Sequence, residues 1–310
     1  MLKVLDLFSG IGSFSYALHD ILETIAYCEI NEHCRAILGR NMIKGYIHTA
    51  PIFNDVKTFN RVVFDKHIDV IVAGFPCQDI STANSTGQGL NGARSGLFWE
   101  IMRIVDEFSS VSHIMLENSP NLLNRGYDAV KNALVERGFT VTYVLLSAAD
   151  VGAPHTRKRI FIWASRHNIQ LPVCNVFPLI WGPPPERIIL STREDKKAYR
   201  KRYCACGNSI VPHCIQIAFN TLVHNSPFEQ TRVEFPITLV DREVVYRKQL
   251  WATPSAQEKH YYAYKTLTHR STGVLFNQVM YEQSTVMIEH GTLNPNYIEW
   301  MMGFPLDFTL

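Results

Sequence analysis

The sequence predicts an α/β protein: a parallel sheet with helices on both faces, joined to a smaller, mostly irregular or β domain. Two observations carry this expectation. Over the first 165 residues, short apolar runs alternate with amphipathic stretches, the pattern of strands joined by crossover helices. After Ala164 that rhythm stops, and Pro172, Pro178 and Pro183-Pro184-Pro185 mark a connector.

Taken in order, the apolar runs Lys3–Leu7, Thr24–Cys28, Val70–Ala73, His113–Glu117, Thr140–Leu146 and Arg159–Ala164 read as strands. Between them, Phe14–Ile21, His33–Asn41, Leu97–Phe108 and Tyr127–Arg137 carry helical periodicity, the last closed by Gly138. A basic stretch, Lys196 to Arg202, follows the connector. Gly207-Asn208-Ser209 then opens an apolar-periodic segment, Ile210–Leu222, which reads as a helix with Pro212 in its first turn. Residues 223–290 are irregular and rich in aromatic, basic and histidine residues, among them Trp251, His260, Tyr262 and Arg270. The division expected is 1–165 as the main domain, 166–206 as connector, 207–222 as a helix returning to the main domain, and 223–310 as the smaller domain.

Composition bounds the function classes. With 46% hydrophobic and 19% charged residues the chain reads as folded and not disordered. No uncharged apolar run reaches about 18 residues, and the early Asp6 and glycines do not suit a secretory leader, so an intracellular protein is expected. Seven cysteines, an odd number, suggest reduced thiols over a disulfide framework. Charge is unevenly spread: residues 1–150 hold 12 Lys/Arg against 16 Asp/Glu, whereas 151–310 hold 18 against 12. A positive half suits a polyanion, although the imbalance alone decides nothing.

Ligands of open α/β sheets sit beyond the carboxyl ends of the strands, and Asp6, Glu29, Cys77 and Glu117 all fall at or just past predicted strand ends. The segment Asp6-Leu7-Phe8-Ser9-Gly10-Ile11-Gly12 leads from a strand into a helix, where glycines allow a close backbone approach to a nucleotide-like ligand. Glu29 stands where a carboxylate accepts hydrogen bonds from ribose hydroxyls; as a lone residue it reads equally well as a solvated helix-start acid. Gly74-Phe75-Pro76-Cys77-Gln78 sets a thiol at a strand end, placed for nucleophilic work, and the polar stretch 79–95 after it reads as a loop able to close over a substrate. Glu117-Asn118-Ser119-Pro120 brings a carboxyl out of an apolar strand, and Arg157 and Arg159 alternate on one side of an extended segment.

In this order, DLFSGIG, GFPCQ, ENSP and RKR resemble the motifs of the cytosine carbon-5 DNA methyltransferase family. The resemblance implies a Rossmann-like methyltransferase sheet, S-adenosylmethionine as cofactor with S-adenosylhomocysteine as product, and no metal. It implies that Phe8, Gly10, Gly12, Glu29, Asp55, Pro76 and Leu97 line the cofactor pocket. Gly207-Asn208-Ser209-Ile210 is similar to a motif completing that pocket, which brings in Asn208 and Ile210. Cys77 corresponds to the nucleophile, Glu117 to the acid at ring nitrogen 3, and Arg157 and Arg159 to a pair around the cytosine. Leu293-Asn294-Pro295 with Met302-Gly303-Phe304-Pro305 resembles the motif that follows the target-recognition region. In the usual order GNS comes last; here it precedes the recognition region, so the small domain reads as permuted. Ser119 stands where valine is usual, and His155-Thr156 replace a glutamine and a basic residue.

The resemblance further implies double-stranded DNA as partner, no membrane, a monomer, a cytoplasmic location in a bacterium or virus-infected cell, and a cognate restriction endonuclease acting separately. Three other readings stand beside it. One is an RNA-acting enzyme of the same family. Another is a catalytically dead DNA-binding relative, against which Cys77, Glu117 and the arginine pair argue. The third is a zinc module built on Cys204, Cys206, His213 and Cys214, whose spacing fits no standard structural zinc pattern.

Overall fold

The computed structural model describes residues 1–76, 96–167, 171–177, 184–186, 188–190, 193–224 and 291–310. The chain divides into two compact units. The first comprises Met1–Leu146, Lys158–Val176 and Cys214–Glu229; the second comprises Ser147–Arg157, Phe177–His213 and Gln230–Leu310.

The first unit is built on a mixed seven-stranded sheet of order β3-β2-β1-β4-β5-β7-β6. Its strands are β1 (Leu2–Leu7), β2 (Leu22–Cys28), β3 (Ile52–Phe53), β4 (Val70–Gly74), β5 (His113–Asn118), β6 (Thr140–Ser147) and β7 (Lys158–Ser165). Every residue of β5, and Val70 to Ala73 of β4, is buried, the signature of central strands covered on both faces. Alternate residues explain the two layers. Leu5, Leu7, Ile71, Ala73, Ile114 and Leu116 share a core cluster with Phe98, Ile101 and Val105 of α3 (Leu97–Glu107) and with Val130 and Leu134 of α5 (Tyr127–Val135). On the other face Val4 and Val72 line a space with Phe14 of α1 (Ser13–Ala17), and Tyr27 packs with Leu38 of α2 (Glu32–Ile43). There too the Trp163 ring meets Phe219 of α7 (Pro212–His224) edge-on at 5.9 Å. The short α4 (Leu122–Arg125) follows β5.

The parallel sheet expected from sequence holds from β3 to β5 and fails at β7, which runs antiparallel to β5. The reason is local: residues 148–157 join β6 to β7 with a 3-10 turn and no α-helix, so the crossover a parallel pair requires is missing. Asp6 departs as well. It lies inside β1, 1% exposed, with Oδ2 accepting from Ser15 Oγ at 2.8 Å and Oδ1 without a partner among the described residues. Its side chain therefore belongs to the face under α1 and not to the ligand edge.

In the second unit β8 (Ile188–Leu190) pairs antiparallel with β9 (Gly291–Leu293). The basic stretch is the middle of a helix, α6 (Arg193–Asn208), and α8 (Pro295–Met301) lies near the end of the chain. Asn294 caps α8 through Asn296 N–H, Pro295 occupies its first position, and Gly303 at φ +74° ends it. The bonds Phe304 N–H to Glu299 O and Gly303 N–H to Trp300 O complete a Schellman close. That is the physical content of the LNP and GFP motifs. Arg202 of α6 donates to the fully buried Glu299 at 2.7 Å, and Thr309 N–H reaches the same carboxylate oxygen at 2.9 Å.

Burial pushes the Asp6 carboxyl up to about 7; the Ser15 hydrogen bond opposes the shift and the charge of Glu29 adds to it. In the unfolded chain an aspartate titrates near 3.9. Between about pH 4 and 7 the folded protein therefore holds a proton the unfolded chain has lost, so this group makes stability fall as pH rises through that window and stay level above it. Asp6→Asn mimics the protonated acid and should remove that component. By urea denaturation, the variant should lose about 3 kcal/mol less than wild type between pH 5 and 8. Equal pH slopes would show the carboxyl to be already ionised at pH 5.

Candidate active site

The register of the parallel strands sets the site. Leu7 pairs with Cys28 and Ala73, Cys28 with Phe53, and Gly74 with Glu117. The residues leaving β1, β2, β3, β4 and β5 therefore emerge along one edge of the sheet. Phe8–Gly12, Glu29, Asp55 and Pro76 are those residues, and Glu117 is the last but one residue of β5 at the same edge. Antiparallel β7 starts at the same edge, because Asn118 pairs with Ile160, and Arg159 comes just before Ile160.

After β1 the chain turns through three residues of positive φ: Phe8 at 54°, Gly10 at 56° and Gly12 at 89°. For Phe8 this conformation costs about 1–2 kcal/mol, and its ring packs on the sheet core. A Cβ on Gly10 would meet nothing nearer than Phe8 O at 4.0 Å, whereas one on Gly12 would touch Leu38 Cδ2 at 3.0 Å and Ile47 Cδ1 at 3.3 Å. Gly10 thus borders open space, and Gly12 is where α2 closes on the turn.

Glu29 stitches the first two loops together. Its Oε2 accepts the Gly10 N–H and its Oε1 the Asn31 N–H, both at 2.7 Å. Arg35 holds the same turn from below, donating to the carbonyls of Glu29 and Ile30 at 3.0 and 2.6 Å. A carboxylate offers about four acceptor positions, so two backbone donors fix Glu29 and leave it capacity for hydroxyl groups. Asp55 caps the 3-10 turn Val56–Thr58, its Oδ1 accepting Lys57 N–H at 2.9 Å, and Oδ2 has no partner among the described residues. Beside these acids, burial and then the charges of Asp55, Glu29 and Asp6 push the Cys28 thiol up to about 12. Burial is the larger cause; the charges of Asp55 and Glu29 that add to it place negative charge at the edge, which suits a cationic ligand.

At the β4–β5 end, Glu117 is 8% exposed and its Oε1 meets Arg159 Nε at 2.8 Å. Asn118 Nδ2 donates to Phe75 O at 3.2 Å, tying the end of β5 to the Phe75-Pro76 segment that leads to Cys77. Leu97 opens α3 and packs against the same core. Cys77 and the loop 79–95 lie outside the described residues. So does 225–290, most of the aromatic and basic segment noted in the sequence.

Of the residues singled out from sequence, Phe8, Gly10, Gly12, Glu29, Asp55, Pro76, Leu97, Glu117 and Arg159 are described within the first unit. Arg157, Asn208 and Ile210 belong to the second unit. Arg157 is buried, its N–H donating to His155 Nδ1 at 3.4 Å while the His155 Nε2 lies 3.1 Å from Met301 O. Asn208 ends α6, exposed, and Ile210 is buried. Arg35 and Asn118 were not singled out from sequence; each acts through a backbone carbonyl, which leaves no mark on residue spacing. Among the described residues no cluster of three His, Cys, Asp or Glu is arranged to hold a metal, and no helix is long and apolar enough to cross a membrane.

Comparison with known proteins places the chain among methyltransferases. The family described as C-5 cytosine-specific DNA methylase matches residues 2–310. The Type II methyltransferase M.CviJI of Paramecium bursaria Chlorella virus IL3A is 28% identical over 99% of this chain and 97% of its own length. The Type II methyltransferase M2.BsuMI of Bacillus subtilis is 31% identical over 53% of this chain, and M.Sau3AI of Staphylococcus aureus 29% over 54%. The matched segments span 42% and 44% of those two proteins.

The two glycines of the turn separate backbone strain from crowding. Gly10→Ala should cost about 1 kcal/mol of stability, the strain of a Cβ at positive φ. Gly12→Ala adds overpacking against Leu38 and Ile47 and should cost about 3 kcal/mol. Urea denaturation of both variants checks the order; equal losses would contradict the packing around Gly12.

Proposed function

The chain belongs to the C-5 cytosine-specific DNA methylase family, and from that premise we propose that it methylates carbon 5 of a flipped cytosine in duplex DNA through a covalent adduct on Cys77. The observation that carries this reading is the convergence of the Glu29-bridged glycine turn and the Glu117–Arg159 ion pair on one sheet edge, either side of the strand that leads to Cys77.

The residues present fit S-adenosylmethionine: a fixed carboxylate for ribose hydroxyls at Glu29, an acceptor for the adenine amino group at Asp55, and open backbone at Gly10 beside Phe8. Pro76 and Leu97 are assigned to the same pocket, and the sequence resemblance alone assigns Asn208 and Ile210 to the cofactor. When bound, the cofactor supplies a sulfonium methyl. The chain's residues prepare its acceptor. The Cys77 thiolate forms a bond to cytosine carbon 6 while Glu117 engages nitrogen 3, which turns carbon 5 into an enamine carbon. After methylation, loss of the carbon-5 proton breaks the sulfur–carbon bond and frees the enzyme. Arg159 orients the Glu117 carboxyl, and Arg157 is assigned to the cytosine. A free thiol has a pKa of about 8.5, so neighbouring arginines that favour the thiolate raise the working fraction.

Carbon 6 is shielded in a stacked duplex, so the base must be rotated out, at an unstacking cost of a few kcal/mol; loop 79–95 is assigned to closing over it. Base reading is assigned to 223–290. The protein is further proposed to act on DNA in the cytoplasm of a bacterium or a virus-infected cell, as a monomer alongside a separate cognate endonuclease. Phosphate contacts are assigned in part to α6, where Lys197, Arg200 and Lys201 are exposed, Lys196 is half-buried, and none of the four has an ion pair among the described residues.

Cys77→Ser should abolish methyl transfer, measured with labelled S-adenosylmethionine and duplex DNA, while S-adenosylhomocysteine still binds. Undiminished methylation by that variant would overturn the assignment. Replacing Lys197, Arg200 and Lys201 together by alanine should lower the slope of log affinity against log salt by about 2–3, at ~0.9 for each phosphate no longer neutralised. An unchanged slope would remove α6 from the DNA surface and leave the chemistry untouched.

A further inference from the structure

We propose that Arg103 is a positioning residue for cofactor binding, a clamp on the turn that presents Asp55, although it does not itself reach the ligand. The proposal rests on the reading of Asp55 as an adenine contact. Arg103 sits in the middle of α3, the helix whose first residue is Leu97. Its guanidinium makes four hydrogen bonds in two directions. Nη2 donates to Val56 O at 2.9 Å and to Phe59 O at 2.8 Å, on the far side of a sequence gap of more than 40 residues. Nε and Nη1 donate to Glu100 Oε2 at 2.8 Å and Glu107 Oε1 at 2.6 Å, one carboxylate on each side along its own helix.

This arrangement does what packing alone does not. Val56 and Phe59 are buried, and Phe59 meets Phe53 edge-on, Phe64 at a tilt and Phe108 stacked, so apolar contact holds the base of the turn. Its two carbonyls nevertheless need donors. Val56 O closes the 3-10 turn through Phe59 N–H at the long distance of 3.3 Å, a weak bond for a segment of only three residues. Arg103 supplies two charge-assisted donors where that bond is poor. Asp55 starts the turn, with Oδ1 committed to Lys57 N–H and the backbone carbonyl to Thr58, so the direction of Oδ2 follows the turn. A planar guanidinium is required: a lysine ammonium is a point charge and cannot span two carbonyls and two carboxylates at once. Glu100 and Glu107 keep the fork from rotating away. Arg103 thus ties two walls assigned to the cofactor pocket, the Asp55 turn and the helix that starts at Leu97.

Calorimetric titration of S-adenosylhomocysteine into the purified full chain tests this, with wild type, Arg103→Met, Arg103→Lys, Asp55→Ala and the double variant R103M/D55A. R103M should weaken binding roughly 5–20-fold and R103K by an intermediate factor, both with native circular dichroism. In the D55A background the R103M effect should shrink to within about twofold, because the clamp has nothing left to aim; a general loosening of the fold would multiply with D55A instead. If R103M does not fold, R103K and R103K/D55A carry the same comparison. A folded Arg103 variant that binds within twofold of wild type overturns the proposal, as does an effect undiminished by D55A. Failure of the wild type to bind S-adenosylhomocysteine would overturn the cofactor reading itself, and wild-type affinity in D55A alone would overturn the role of Asp55; either removes the basis of the clamp.

Discussion

Two backbone N–H groups, from loops that follow neighbouring parallel strands, end on the two oxygens of one carboxylate, Glu29. Both loops leave the sheet at the same height because β1 and β2 run parallel, with Leu7 paired to Cys28. Without an acceptor between them, the Gly10 and Asn31 donors would stand at a strand edge with nothing to satisfy them. Glu29 satisfies both and in doing so fixes the turn in its unusual left-handed course. A neutral amide could not repeat this, since it offers one oxygen where two are used. The acid therefore shapes the protein before it meets any ligand.

The parallel half of the sheet was legible because its physics is local and repetitive. Val70–Ala73 and Ile114–Leu116 are unbroken apolar runs, and only a strand buried on both faces uses such a run at that length. Helix α3 showed an apolar stripe that becomes Phe98, Ile101 and Val105 against the sheet. Helix α6 was not legible as a helix. Its run of cations reads as a charged surface, and its buried side, Arg202, Tyr203, Ala205 and Cys206, lies in the last two turns with a cation among it, which no hydrophobic period marks. Strand β3, two residues long, falls below any periodicity. The antiparallel β7 was missed because a strand's apolar content is the same in either direction; only the shortness of the link after β6 betrays the reversal.

The site divides along a similar line. Residues that touch the ligand edge follow strand ends, and a strand end can be read from sequence. Residues that hold those residues cannot, because they act through carbonyls. Arg103 is the clearest case. With Glu100 three residues before it and Glu107 four after, it looks like an ordinary exposed ion-pair ladder worth a few tenths of a kcal/mol. The structure turns that ladder sideways, so that the acids orient a guanidinium whose other N–H groups reach across to Val56 and Phe59. Asp6 misled in the opposite sense. The residue sits within the glycine-turn motif, yet strand alternation sends its side chain under α1.

Electrostatics then allots different tasks to different surfaces. At the edge assigned to the cofactor, Glu29 and Asp55 bring two carboxylates beside Cys28, whose thiol is pushed up to about 12 first by burial and then by their charge. A sulfonium is a small cation and gains from such a field, whereas a phosphate backbone would be repelled by it. Lys197, Arg200 and Lys201 of α6 have the converse property, exposed and without ion pairs among the described residues. Duplex DNA, the most negative of the partners proposed, needs many weak positive contacts along its length and only one base at the reaction edge. The base flipping proposed above would meet that requirement, since it takes a neutral ring to the reaction edge and leaves the charged backbone outside.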